Sequence, residues 1–351
     1  MTWIRIAAVL VLVVVATVGV SACSSPEPEP EVVVAWPAAT SERAVPESPE
    51  PTRWPLTGLA APSPEAVLVR VVSVKVENSP DARPQTNLQR ADVVYESVTE
   101  GGITRFNALF HSDAPDVVGP VRSARLSDTY IVPQYQALFS FSGASSSVNA
   151  AVRRAGIENL SEDAGVTRPF TRSSSRPRPH NLYLDIVEAR AEGERRGMDT
   201  QREITGLQFD TARVTQVLPP SVTRISIAFS TANSVEWTYD TDRRVYLRVN
   251  NRAPFNDAAT GEQVYARNVV VMWAQHRVAT VNSAGTVTYE IILSGSGRAS
   301  IFRDGQRFDG TWDAGADAPP RFIAEDGTPI TLAPGNTWMQ VVNTSVGITA
   351  Q

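Results

Sequence analysis

Lysine is nearly missing from this chain: Lys75 stands alone among 32 basic residues. So complete a bias reads as genome composition, and the abundance of arginine is not by itself a sign of a binding site. Cysteine occurs once, at Cys23, which excludes an internal disulfide. The three histidines, His111, His180 and His276, are too scattered for metal-ligand spacing, so no metal centre and no cofactor is expected. A net charge of −5 argues against a nucleic-acid partner, which calls for a basic surface. No G-x-S-x-G and no H-E-x-x-H occurs, so the familiar nucleophile and zinc-protease motifs are absent.

What is present begins with an export signal. Arg5 gives a positive start, and residues 6–18 form an apolar run of thirteen, too short to span a bilayer comfortably. Val20-Ser21-Ala22-Cys23 then follows the lipobox pattern of an aliphatic residue, two small residues and cysteine. The small residues suit a peptidase cleft, and only the thiol can take a diacylglycerol thioether. Residues 1–22 therefore read as a lipoprotein signal peptide and Cys23 as the lipidated first residue of the mature chain. Its acyl chains suffice for stable anchoring at the outer face of the cell membrane. Residues 23–54 are dense in proline and glutamate and read as a tether, reaching roughly 100 Å fully extended or roughly 30 Å as a coil.

The remainder has ordinary globular composition, 42% hydrophobic and 20% charged over the whole chain of 351 residues. Residues 91–125 organise it. Two β-rich stretches, 92–99 and 103–110, flank Glu100-Gly101-Gly102, and a Gly-Gly pair tolerates the positive φ of a tight hairpin. Asp92, Glu96 and Glu100 share this stretch with Arg105, Arg122 and Arg125. They are either the solvated face of a core hairpin or a polar site built on it. A strand is expected over 67–76, a short helix over 85–90 and a helix over 123–130 that Pro133 kinks or ends. A buried strand over 137–142 then leads through a serine turn into a helix over 148–155. Serines there are ordinary N-caps, though backbone N–H groups at a helix start can also hold an anion. The basic loop 168–178 leads to His180 and Asn181, and Asp185 caps an exposed helix that Gly197 stops. From about residue 214 short strands dominate. Trp237, Trp273, Trp312 and Trp338 there are core aromatics, or sugar-stacking platforms if they line an exposed groove. The expected fold class is α+β: an N-terminal α/β part (55–205) followed by a β-rich C-terminal part (214–345).

Several motifs carry a resemblance. In the N-terminal part these are PLTG (55–58), VEN (76–78) with ARPQ (82–85), ADVVYE (91–96), EGGITRF (100–106), GPVRSAR (119–125) and PHNLY (179–183). The C-terminal part adds TG (260–261), NVVV (268–271) and PGNTWMQ (334–340). On these the chain resembles the YerB-like family of bacterial lipoproteins, a domain of unknown function with a separate C-terminal domain. It departs from that pattern at Ser142-Gly143-Ala144-Ser145 and at Tyr265-Ala266-Arg267. The resemblance implies an extracytoplasmic lipoprotein with two subdomains and no established reaction.

Two readings of function follow. In the first, a non-enzymatic module binds a cell-wall glycan, a peptide stem or an envelope protein through Arg83, Arg105, Arg122, Arg125, His180 and Asn181. In the second, a cell-wall glycan hydrolase uses paired carboxylates drawn from Glu77, Glu96 and Glu100.

Overall fold

Runs of β-branched and aromatic residues without a 3.6-residue period become strands, and in the core of this protein they are buried on both faces. The computed structural model describes residues 51–211, 219–281, 285 and 287–351. Cys23, the signal peptide and nearly all of the tether lie outside the described residues. Glu50–Gln351 forms one compact unit.

The first half supplies β1 (Val72–Glu77), β2 (Val93–Val98), β3 (Thr104–Phe110), β4 (Leu138–Ser140), β5 (Phe170–Arg172) and β6 (Leu182–Leu184). With them come helices α1 (Asp128–Gln134), α2 (Ser146–Arg154) and α3 (Ile186–Arg195). The second half supplies β7 (Arg224–Ala228), β8 (Ser234–Asp240), β9 (Val245–Asn250), β10 (Ala253–Pro254), β11 (Tyr265–Ala266), β12 (Asn268–Ala274) and β13 (His276–Val281). It continues with β14 (Val287–Ile291), β15 (Gly295–Arg303), β16 (Gln306–Ala314), β17 (Arg321–Ala324), β18 (Thr337–Asn343) and β19 (Ile348–Ala350).

Nine of these strands make one sheet in the order β17-β16-β15-β12-β18-β2-β3-β1-β4. The two halves form one block of strands each and meet at a single seam, because β18 lies parallel to β12 on one side and to β2 on the other. A second sheet, β10-β9-β8-β7-β19, carries β11 on β9. The period of two sends alternate residues to two cores. Val269, Val271 and Trp273 join Val76, Phe106 and Trp237 in the core shared with the second sheet. Val270, Met272 and Met339 join Tyr95, Ile131 and Tyr135 in the core under α1 and α2. All seven residues of β12 are buried, as a strand covered on both faces must be.

The hairpin forms as expected, with Val98 paired to Thr104 and both turn glycines, Gly101 and Gly102, at positive φ (70° and 73°). Of the α+β expectation, the β-rich second half is observed. The α/β character of the first half is not confirmed: the chain is mostly strand, and the first half adds only short helices to its share of the main sheet. The helix expected over 123–130 begins at Asp128 and runs one residue past Pro133. Residues before it are held extended, since Arg122 N donates to Lys75 O and Ala124 N to Gly143 O. The tryptophans named above are core residues, from 0% to 4% exposed, which removes them as sugar platforms. Strands β13 and β14 pair only with each other, as a two-stranded ribbon apart from both larger sheets.

Candidate functional site

The alternation that builds the cores also sorts the charges. On β1 and β3, Val76 faces Phe106 across the strands, and Glu77 faces Arg105. Glu96 lies on the Phe106 side, opposite it on β2. Glu77 and Glu96 therefore point to opposite faces of the same sheet.

On the face toward α1, three arginines converge. Arg125 donates to Glu100 Oε2 through Nε at 2.8 Å and Nη2 at 2.5 Å. Arg105 lies 3.9 Å from the same oxygen, and Arg122 Nε lies 3.1 Å from Glu77 Oε1. Arg105 and Arg125 both direct an Nη1 at Ser123 O, at 3.4 and 3.3 Å. Glu77, 1% exposed, also accepts from Ser79 Oγ at 2.8 Å and lies 3.0 Å from His180 Nδ1. Burial and the adjacent Arg125 and Arg122 charges, offset in part by Glu100 and Glu77, pull the Arg105 guanidinium down to about 10. Burial pushes the Glu100 carboxyl up, but hydrogen bonds and charge from Arg125 outweigh it and leave it below the usual carboxylate range. Two buried donors in this cluster, Arg105 Nε and Arg122 Nε, find no aligned acceptor among the described residues.

Beside the cluster opens a cleft of about 330 Å³. Glu100, Ser123 and Arg125 line one side, the serine turn at the start of α2 contributes Ser145 and Ser147, and the β13–β14 ribbon adds Thr280 and Thr288. Ser145 Oγ accepts from Val148 N at 3.4 Å, the expected N-cap. Thr288 Oγ1 donates to the second Glu100 oxygen at 3.2 Å.

A lysine buried in an apolar strand is the signal that sequence reasoning left unused. Lys75, 1% exposed, donates to Asp128 Oδ1 at 2.7 Å, and Asp128 also accepts from Asn107 Nδ2 and Arg125 N. Burial lowers the Lys75 pKa, and Asp128 opposes that shift. The pair anchors the backbone of Arg125, and so the whole cluster, to β1.

The other selected residues sit elsewhere. Glu96 is sealed: its side chain and that of Arg248 are both 0% exposed and lie 2.9 Å apart. Arg248 in turn is surrounded by Phe106, Trp237, Phe255 and Trp338, with its Cζ 4.7–5.5 Å from their centroids. Asn181 braces the basic loop, donating to Ser173 O at 2.9 Å and accepting from Arg172 at 3.1 Å. Arg83 borders a separate cleft on the second sheet. Of the hydrolase pairings, Glu77 with Glu96 has no geometry here, since the two face apart and Glu96 is closed, while Glu77 and Glu100 share the α1 face, each held by an arginine.

The family model described as the N-terminal domain of a protein of unknown function, DUF3048, matches residues 56–199, and its C-terminal counterpart matches residues 225–339. The chain belongs to the DUF3048 family. A relative from Bacillus subtilis (strain 168), named provisionally as the lipoprotein YerB, is 28% identical over 302 residues, covering 85% of this chain and 88% of its own. A crystal structure of YerB from Bacillus subtilis matches with a TM-score of 0.76 at 27% identity, covering 85% of this chain and 99% of that one. The DUF3048 match thus spans both halves that the main sheet joins at β18 and β2.

Proposed function

We propose that this DUF3048 chain is a lipoprotein anchored through Cys23 at the outer face of the cell membrane. There it acts as a non-enzymatic module that binds an anionic group of a cell-wall component or envelope partner. The lipobox and a relative named as a lipoprotein support the anchor. The binding reading rests on one observation: Arg105, Arg122 and Arg125 converge beside an open polar cleft that Arg125 lines, and the buried Arg105 Nε lacks an acceptor among the described residues. A buried donor without a partner is costly, and an incoming carboxylate or phosphate oxygen relieves that cost. Arginine forks suit such oxygens, and the cleft's serine and threonine hydroxyls add neutral donors. His180 takes part through Glu77, orienting the carboxylate that faces Arg122.

The test is binding of the chain to purified sacculi and their soluble fragments, with the products analysed in the same tubes. Saturable binding that Arg122→Ala and Arg125→Ala weaken supports the module. Release of new soluble fragments, lost in Glu100→Gln, would return the hydrolase reading. Retention unchanged in both arginine variants removes this cleft as the binding site.

A further inference from the structure

Arg83 is the selected arginine that the cluster above does not absorb, and its surroundings differ in kind. Nε donates to Asn78 Oδ1 at 3.0 Å, and Nη2 to Asn78 O at 2.9 Å and, more weakly, to Asn233 Oδ1 at 3.5 Å. Every one of these acceptors is neutral. The carboxylate whose charge reaches it, Glu96, is already committed to Arg248. Among the described residues Arg83 forms no ion pair, and its Nη1 donates to no protein acceptor. Burial and the Arg248 charge both disfavour its cationic form, which is the condition an incoming anion reverses.

The guanidinium is held in place and faces a cavity. Arg176 clamps the loop on its far side, donating to Ala82 O at 2.6 Å and Pro84 O at 2.8 Å. The cleft, of about 340 Å³, has Arg83 and Pro84 on one wall and Pro254 and Phe255 on the other, with Asn250 and Asn256 as its neutral polar lining. Asn250 is fixed from below by Asn233 Oδ1 and Ser234 O, at 2.9 and 3.1 Å. The planar Arg83 fork suits the two oxygens of a carboxylate. The exposed Asn256 carboxamide can pair with a peptide group, and the proline and phenylalanine walls take a small apolar side chain.

We propose that the cleft between Arg83-Pro84 and Pro254-Phe255 is a recognition site for the C-terminal carboxylate of a short peptide whose last side chain is small and apolar. The site is distinct from the Arg105–Arg122–Arg125 cleft and does not rest on it. The experiment is titration calorimetry of the full chain in detergent micelles with N-acetyl-Ala-Ala, and with the same peptide as its C-terminal amide. The acid binds saturably and the amide binds at least about tenfold more weakly, since a charge-assisted pair is lost. Arg83→Gln gives the same loss. Asn256→Asp, at an exposed position where folding is not in question, sets a carboxylate at the mouth and also weakens the acid. Arg125→Ala leaves the binding unchanged. Absence of saturable binding, equal binding of acid and amide, or binding indifferent to both Arg83→Gln and Asn256→Asp would each overturn the proposal. Loss of binding in Arg125→Ala alone would move the carboxylate to the other cleft and overturn it equally.

Discussion

Replacing Arg248 by methionine is the sharpest probe of how the two sheets are joined. Arg248 on β9 and Glu96 on β2 meet between the sheets, both fully closed to solvent and 2.9 Å apart. With Arg248 gone, the Glu96 carboxylate keeps only Thr104 Oγ1 at 2.7 Å and Asn78 Nδ2 at 3.4 Å. A buried charge stripped of its counter-ion destabilises by about 3–5 kcal/mol. Losing the stack over four aromatic rings adds about 1–2 kcal/mol. In a domain this large, the ion-pair loss alone lowers the melting temperature by roughly 5–8 °C. Glu96→Leu alone strands the cation and falls similarly. The double variant Glu96→Leu/Arg248→Met leaves no charge to solvate and is less destabilised than the two single losses added together, by about 2 kcal/mol or more. The assay is urea unfolding of all four proteins, followed by tryptophan fluorescence, since Trp237 and Trp338 flank Arg248. Additive losses, with coupling under about 0.5 kcal/mol, would refute the pair as the link between sheets.

Further outcomes follow from other sites. Lys75→Met leaves Asp128 buried without its cation and lowers stability by about 3 kcal/mol or more, read as a shift in the urea midpoint. Gly310→Ala places a Cβ 2.1 Å from Ile323 O, so β16 and β17 must separate; the loss is about 1–3 kcal/mol by the same measurement. Burial raises Asp92 to about 6 against the hydrogen bonds from Ser112 and His111 N, so the folded state binds more protons than the unfolded one between about pH 4 and 6. Its contribution to stability therefore falls as pH rises through that window. His111, which burial and Arg190 depress to about 4, acts in the opposite sense over the same range. The difference between wild type and Asp92→Asn isolates the Asp92 slope, and a difference that does not change between pH 4 and 6.5 would contradict the assignment.

The hairpin was legible because its signals agree: β-branched strands, a Gly-Gly turn and the charges between them. The cap of α2 at Ser145 and that of α3 at Asp185 were legible for the same local reason. What was hidden is long-range. Nothing near Glu96 in sequence announces Arg248, and nothing near β2 announces β18 as its neighbour. The arginines of the GPVRSAR stretch lie beside Arg105, since the segment after β3 returns along β1, where Val121 bridges Val76 and Arg122 N donates to Lys75 O. Arg83 was grouped with them by residue type, but its loop turns it toward the second sheet. Glu77 and Glu96 cannot act as a pair because the strand period assigns them to opposite faces. The ribbon strand β13 was missed because its residues past His276 are exposed and lack an apolar alternation.

The place of β18 in the main sheet bears on how the molecule comes into being. During synthesis β2 emerges early, and one of its edges has no hydrogen-bonding neighbour until Thr337–Asn343 arrives. Local pairing can make the β2–β3 hairpin at once, but closure of the sheet waits for almost the whole chain. High contact order of this sort slows folding and leaves an open strand edge in the interval. At the outer-face location proposed above the chain would cross a membrane before folding, and such a delay suits that route: the last piece of the sheet is also the last to be delivered.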